Sequence, residues 1–304
     1  MSEQRSPAHR AAHPFNDEKP GIGSLDIPPI TSSGIDWRAI YFLPGLLTWR
    51  DLLSDYPGLL RTKLMLIPLR DDLHLQARPL VTYTLIGACI LPFLLQQSLE
   101  EVESQRLIYS FGIIPALLLE HARLAPGLMF VSPEAALFTS MFLHAGWIHL
   151  IGNMLYLWIF GDDVEDSMGR YRYLVFYLLC GLAGALSHVA AHPTSEIPVV
   201  GASGAVSGVL GAYLLLYPHA RILVLLPMGP FSRLVRLPAF LVLGFWIVFQ
   251  LLNAAFAAAQ ENGVAWYDHI GGFVTGLALV PLFKHRKVRL LQPAHGSRRW
   301  LRKL

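Results

Sequence analysis

Three short stretches carry polar residues inside otherwise apolar runs, and their side chains could do acyl-transfer chemistry. In HAGWIHLIGNMLYLW, His149 and Asn153 are spaced i,i+4 and share one helix face, with His144 a turn and a half earlier. VVGASGAVSGVLGAY sets Ser203 beside Gly204, with Gly201, Gly208 and Gly211 around it. AWYDHIGGFVTG places His269 ahead of Gly272 and Gly276, a small-residue stripe that permits close helix packing. A serine can serve as nucleophile, a histidine as its base, and side-chain or backbone N–H groups as an oxyanion hole.

Read singly, each stretch is ordinary. A histidine in an apolar helix is commonly a hydrogen-bonded packing residue, and a serine among glycines is a small residue at a helix crossing. The first stretch is not HExxH, because no Glu separates the histidines and their spacing is five, which disfavours a zinc protease. The hydrolase elbow Gly-x-Ser-x-Gly is not met either, since Ala205 stands where its second glycine would be. Asp268 precedes His269, but successive helical residues point about 100° apart, so it is not assigned as a triad carboxylate. His188 and His192 form an i,i+4 pair without an evident third ligand, and no metal is expected.

The elements that must position these residues follow from composition. The chain has 304 residues, of which 54% are hydrophobic and only 15% charged, against about 25% charged in an ordinary soluble domain. A polytopic membrane protein is the leading class. Six apolar runs are long enough to span a bilayer, at about 80–99, 140–161, 171–191, 201–218, 236–259 and 266–283. With six spans, 22 of the 24 Lys and Arg fall on one side, and only Arg106 and Arg123 on the other. The positive-inside rule then sets both termini in the cytoplasm. Spans two, four and six enter from the opposite side, so Ser203, His269 and the His149/Asn153 pair start at one depth. Polar residues lining a transport pathway would instead run through the whole membrane thickness.

The flanks are of a different character. Residues 1–64 open on a Pro-, Ser- and charge-rich stretch that cannot bury enough apolar surface to fold alone. They form an N-terminal cytoplasmic extension with interfacial helices as one reading of 36–66. Residues 286–304 form a basic tail that suits anionic lipid rather than nucleic acid. The 100–139 loop is long and partly apolar, which suggests that it lies partly in the membrane. Cys89 and Cys180 sit in apolar runs and make neither a disulfide framework nor a zinc ribbon.

Taken together, HAGWIHLIGN, GASGAVSGVLGAY and HIGGFVTG resemble the motifs of the rhomboid intramembrane serine proteases, His-x4-His-x3-Asn, Gly-x-Ser-Gly and His-x2-Gly-x3-Gly. IPLRDD, FGIIP and GDDVED extend the resemblance over residues 65–285. It implies an all-α polytopic fold, a six-helix rhomboid-like bundle with a membrane-associated first loop and both termini inside. It implies a Ser203–His269 dyad, an oxyanion hole from the Ser203 N–H and the His149 and Asn153 side chains, and no cofactor. His144, Gly201, Gly204, Gly272 and Gly276 would support the motifs. Partners would be the lipid bilayer and single-span membrane proteins cut in or near their span, entering beside span five. The expected location is a prokaryotic plasma membrane with the site opening away from the cytoplasm. Two departures stand out. Ala135 and Ala136 replace a Trp-Arg pair found in some members, and Ser207 replaces a Tyr that stacks on the base, so His269 needs another means of orientation. Met65, just before LIPLRDD, is a candidate start. The rival reading is a non-proteolytic rhomboid-like protein that binds or chaperones membrane clients.

Overall fold

The computed structural model describes residues 23–25, 66–73, 77–124, 129–228, 231–257 and 264–293. The expectations for most of residues 1–64, for Met65 and for the end of the basic tail lie outside these. The chain is mostly helical. Helices α1 (Leu80–Ser98), α5 (Trp147–Met168), α6 (Arg170–Ala191), α7 (Ser203–Leu216), α8 (Ala239–Ala257) and α9 (Trp266–Phe283) correspond to the six expected runs. The first loop folds as α2 (Glu101–Phe111), α3 (Pro115–Leu118) and α4 (Pro133–Thr139), followed by a 3-10 turn at Ser140–Phe142.

Among the described residues, three helices are each long and apolar enough to cross a membrane: Leu80–Ser98, Arg170–Ala191 and Ala239–Phe256. A fourth span results if Pro133–Phe142 and Trp147–Met168, bent by 78°, count as one. The second run therefore differs from the expected 140–161. Its apolar stretch contains a bend at His144–Gly146, and the helix begins only at Trp147. It then continues through Asp162, Asp163, Glu165 and Asp166, because the carboxylates there find partners. Glu165 accepts hydrogen bonds from Val81 N at 3.0 Å, Thr82 N at 2.8 Å and Thr82 Oγ1 at 2.9 Å. Those backbone donors open α1, whose N-cap Pro79 offers no side-chain acceptor, so Glu165 caps α1 from another helix.

The all-α expectation is corrected by five short strands. β1 (Gly23–Leu25) pairs in parallel with β3 (Ala122–Leu124), and β2 (Ile67–Arg70) lies beside β4 (Arg221–Met228), which forms a hairpin with β5 (Phe231–Pro238). Residues 221–238 are rich in Leu, Val and Ile, and their register keeps Ile222 and Val224 in the core while Arg221 and Arg236 stay exposed. The segment after β2 is tied to the bundle through Asp71, which accepts the Tyr213 hydroxyl, and to β4 through Asp72, which accepts Arg221 N at 2.9 Å.

Helix α7 is the centre of the bundle, buried at every position from Ser203 to Tyr213. Its glycines let neighbouring backbones touch. A Cβ at Gly272 would overlap the Gly204 carbonyl, one at Gly276 the Gly208 carbonyl, and one at Gly211 the Phe273 carbonyl. α7 and α9 thus pack backbone to backbone over two turns, and the Cys180 side chain of α6 packs onto Gly208. At 14 residues, α7 is about 21 Å long, shorter than the roughly 30 Å of a hydrocarbon core. A helix this short cannot hold both ends at the surface of a bilayer.

Candidate active site

Ser203 is the first residue of α7, following Gly201, whose φ of 134° suits only glycine. The left-handed turn admits the chain close to α5: a Cβ at Gly201 would collide with the His149 imidazole and lie 3.7 Å from Asn153 Nδ2. His149 and Asn153, on the first two turns of α5, thereby stand beside the backbone two residues ahead of Ser203. Asn153 is buried, and its Nδ2 has no hydrogen-bond partner. A buried amide donor left unpaired costs about 1–3 kcal/mol and calls for an explanation. His144 packs edge-to-face on His149, with ring centroids 5.3 Å apart, and is fully buried.

His269 lies in the first turn of α9, brought to the level of Ser203 by the Gly204–Gly272 backbone contact. Its ring sits between Trp246 of α8 and Trp266 of α9, at centroid distances of 6.1 and 6.2 Å. Its Nδ1 is 2.8 Å from Gln250 Oε1 of α8. Both residues are buried, Gln250 completely.

The Ser203 hydroxyl donates to Asp268 Oδ2 at 3.0 Å. The Asp268 carboxyl lies against the first turn of α7, whose own N-cap Ala202 has no side-chain acceptor. Room for the carboxyl comes from two glycines, since a Cβ at Gly184 or at Gly204 would overlap its oxygens. The helical spacing that set Asp268 aside as a support for His269 still leaves it pointing at Ser203. A small cavity at this point is lined by Gly201, Gly204, Ser140, Met141 and Asp268. Ser207, in place of the stacking Tyr, turns its hydroxyl back to the Ser203 carbonyl at 2.6 Å and does not hold the base.

The arrangement gathers Ser203, His269, His149, Asn153 and the glycines that space them at one end of the bundle. Sequence reasoning missed Gln250 and the reach of Asp268. Gln250 had a signal, a lone amide in the middle of an apolar span. Among the described residues, no group of three or more His, Cys, Asp or Glu is placed to hold a metal ion. The His188 and His192 rings lie tilted against each other with centroids 5.0 Å apart.

The Rhomboid domain family matches residues 134–286, half of the chain. Over 152 residues the chain is 32% identical to Rhomboid protein 1, mitochondrial, of Saccharomyces cerevisiae, covering 49% of this chain and 41% of that protein. It is 31% identical over 199 residues to Rhomboid protease GluP of Bacillus subtilis, covering 66% of this chain and 34% of that one. Over 182 residues it is 31% identical to Rhomboid-related protein 1 of Caenorhabditis elegans, covering 57% and 49%. The chain thus spans half or less of the length of these relatives.

Proposed function

The chain belongs to the rhomboid family, and from that premise we propose that it is an intramembrane serine endopeptidase working through Ser203 and His269. It is an integral membrane protein, as its apolar helices and its Rhomboid domain require. The proposed core, residues 65–285, crosses the membrane six times with both termini on one side and Ser203 opening toward the other. The relatives come from a bacterium and from mitochondria and chloroplasts alike, so they give no support to a prokaryotic plasma membrane in particular.

In the proposed reaction the Ser203 hydroxyl turns from Asp268 toward His269, and Oγ attacks the scissile carbonyl carbon. The hydroxyl proton passes to His269 Nε2. The C–N bond of the tetrahedral intermediate then breaks as His269 returns that proton to the leaving amine. Water, deprotonated by the same imidazole, then attacks the acyl carbon, and as the C–O bond to Ser203 breaks the imidazolium returns the proton to Ser203 Oγ. The oxyanion formed in each half is held by the Ser203 N–H, Asn153 Nδ2 and the His149 side chain. The observation that carries this reading is the buried, unpaired Asn153 Nδ2 beside Gly201. A protein that only binds clients has no use for such a donor, whereas an oxyanion would complete it. Single-span membrane proteins are the proposed substrates. Their helices must unwind before an amide is exposed to attack, so Gly, Pro and polar residues near the cut favour cleavage.

The test is cleavage of a panel of single-span proteins in liposomes by the wild type, Ser203→Ala and His269→Ala. Activity lost in both folded variants supports the dyad. Activity that survives Ser203→Ala overturns it. An inert wild type that also fails to react with a fluorophosphonate at Ser203 favours the client-binding alternative.

A further inference from the structure

A neutral imidazole is a base at Nε2 only when its proton rests on Nδ1, and the free ring favours the opposite tautomer. Something must therefore accept from Nδ1 if His269 is to take the Ser203 proton. Neighbouring side chains do not supply it. Asp268, on the same helix, is engaged with Ser203, and Ser207 of α7 is bonded to the Ser203 carbonyl. Gln250 Oε1, 2.8 Å from His269 Nδ1, is placed to do so from α8.

We propose that Gln250 is the positioning residue of the base: its Oε1 accepts the Nδ1–H of His269 and fixes the tautomer whose Nε2 lone pair faces Ser203. The inference rests on the protease reading and adds a residue to it. Three observations carry it. Gln250 is entirely buried in an apolar helix, where an amide is costly unless it is used. Its Nε2 has no partner, so the one hydrogen bond of this side chain is the one to His269. The next polar side chain of α8, Asn253, is committed to its own helix through Phe249 O at 2.7 Å. With Trp246 and Trp266 on either side, the imidazole is held in orientation by packing and in tautomer by the amide. A histidine whose second nitrogen is fixed by a carbonyl or carboxylate is the general form of this device. Here a neutral amide does the work from a separate helix.

The opposite amide orientation would put Gln250 Nε2 against Nδ1 as a donor, force the proton onto His269 Nε2, and leave the base unable to accept from Ser203. The two arrangements differ in the position of one proton, which 15N NMR of the histidine-labelled full-length protein in nanodiscs reads directly. Subtracting the spectrum of His269→Asn assigns the signal among the 12 histidines. The wild type is expected to carry the proton on Nδ1. Gln250→Met keeps the length of the side chain without the acceptor. It should move the proton to Nε2 and lower kcat by roughly 10–100-fold with KM unchanged. Gln250→Glu restores an acceptor and should recover most of kcat.

A wild-type proton on Nε2 overturns the proposal without any variant having to fold. So does Gln250→Met with an unaltered tautomer and kcat, or Gln250→Glu failing as badly as Gln250→Met, which would mark a packing role. Should the wild type cleave nothing and leave fluorophosphonate unreacted, the protease reading fails, and the tautomer still decides the Gln250 bond on its own.

Discussion

Ser203 Oγ donates to Asp268 Oδ2 at 3.0 Å, and Asp268 is the residue immediately before His269 on α9. Ser203, the proposed nucleophile, is thus held in the resting protein by the carboxyl of the residue next to His269, its proposed base. The same carboxyl lies against Gly204, where an added Cβ would overlap its oxygens. In the proposed reaction, attack by Ser203 requires this bond to be exchanged for one to His269.

Asp268→Ala should therefore free the hydroxyl and lower stability at once. Losing one net hydrogen bond of about 0.5–1.5 kcal/mol should speed fluorophosphonate labelling of Ser203 roughly two- to tenfold. The same lost bond should cost about 0.5–1.5 kcal/mol of stability, read as a lower unfolding temperature. Asp268→Asn keeps an acceptor and should stay near the wild type in both. Slower labelling of Asp268→Ala with the fold intact would mean that Asp268 assists Ser203 rather than detaining it.

Asn153→Leu separates function from stability. The Asn153 Nδ2 makes no hydrogen bond in the resting protein, so replacing the amide by an apolar group of similar size breaks none at that atom. Removing an unpaired buried donor is nearly neutral or stabilising. Removing an oxyanion donor should cost about 10²–10³ in kcat. Chemical denaturation and steady-state kinetics on the same preparation check both halves. A large stability loss with modest kinetic change would assign Asn153 to packing.

The glycine contacts give a third test. Gly276→Ala sets a methyl against the Gly208 carbonyl, a backbone atom that cannot swing aside. Forcing α7 and α9 apart should cost about 1–3 kcal/mol, the usual range for overpacking. It should also lower activity although Gly276 lies two turns from His269. Gly244→Ala on α8 meets nothing within 4 Å and should be tolerated. Unfolding temperature and cleavage rate of the two variants side by side make the comparison.

How much of this was legible in the sequence depends on what kind of contact each residue makes. Gly204, Gly208, Gly272 and Gly276 were readable because a backbone-to-backbone crossing demands small residues at a fixed period. The starts of α7 and α9 were readable for the same reason. The bend at His144–Gly146 was not, because the apolar run continues through it and hydropathy does not sense direction. The β4–β5 hairpin was hidden too. Its apolar stretch adjoins a true span, and its exposed arginines read as loop charges. The contact of Asp268 with Ser203 was not readable, because the spacing rule asks only what a residue offers its own helix. Its partner Ser203 sits 65 positions away on another.

Glu165 poses the same problem of long-range partners, and its role can be measured as a coupling. It lies in GDDVED near the end of α5, and its carboxylate accepts three hydrogen bonds from Val81 and Thr82 at the start of α1. It is buried, as is Thr82. Glu165→Ala would leave two backbone donors and one hydroxyl of α1 without this acceptor, in a helix whose Pro79 cap cannot replace it. The expected loss is about 1–3 kcal/mol for a buried unpaired donor, more if several stay dry. Glu165→Gln keeps one acceptor oxygen and should lose less. Thr82→Val removes only the hydroxyl and should cost about 1 kcal/mol. If the carboxylate and the hydroxyl act as one unit, the double variant should fall short of the sum by about 0.5–3 kcal/mol. Additive losses would mean that Glu165 serves the backbone N–H groups alone. Either way the catalytic constants of the folded fraction should be unchanged, because α1 contributes no residue to the site around Ser203.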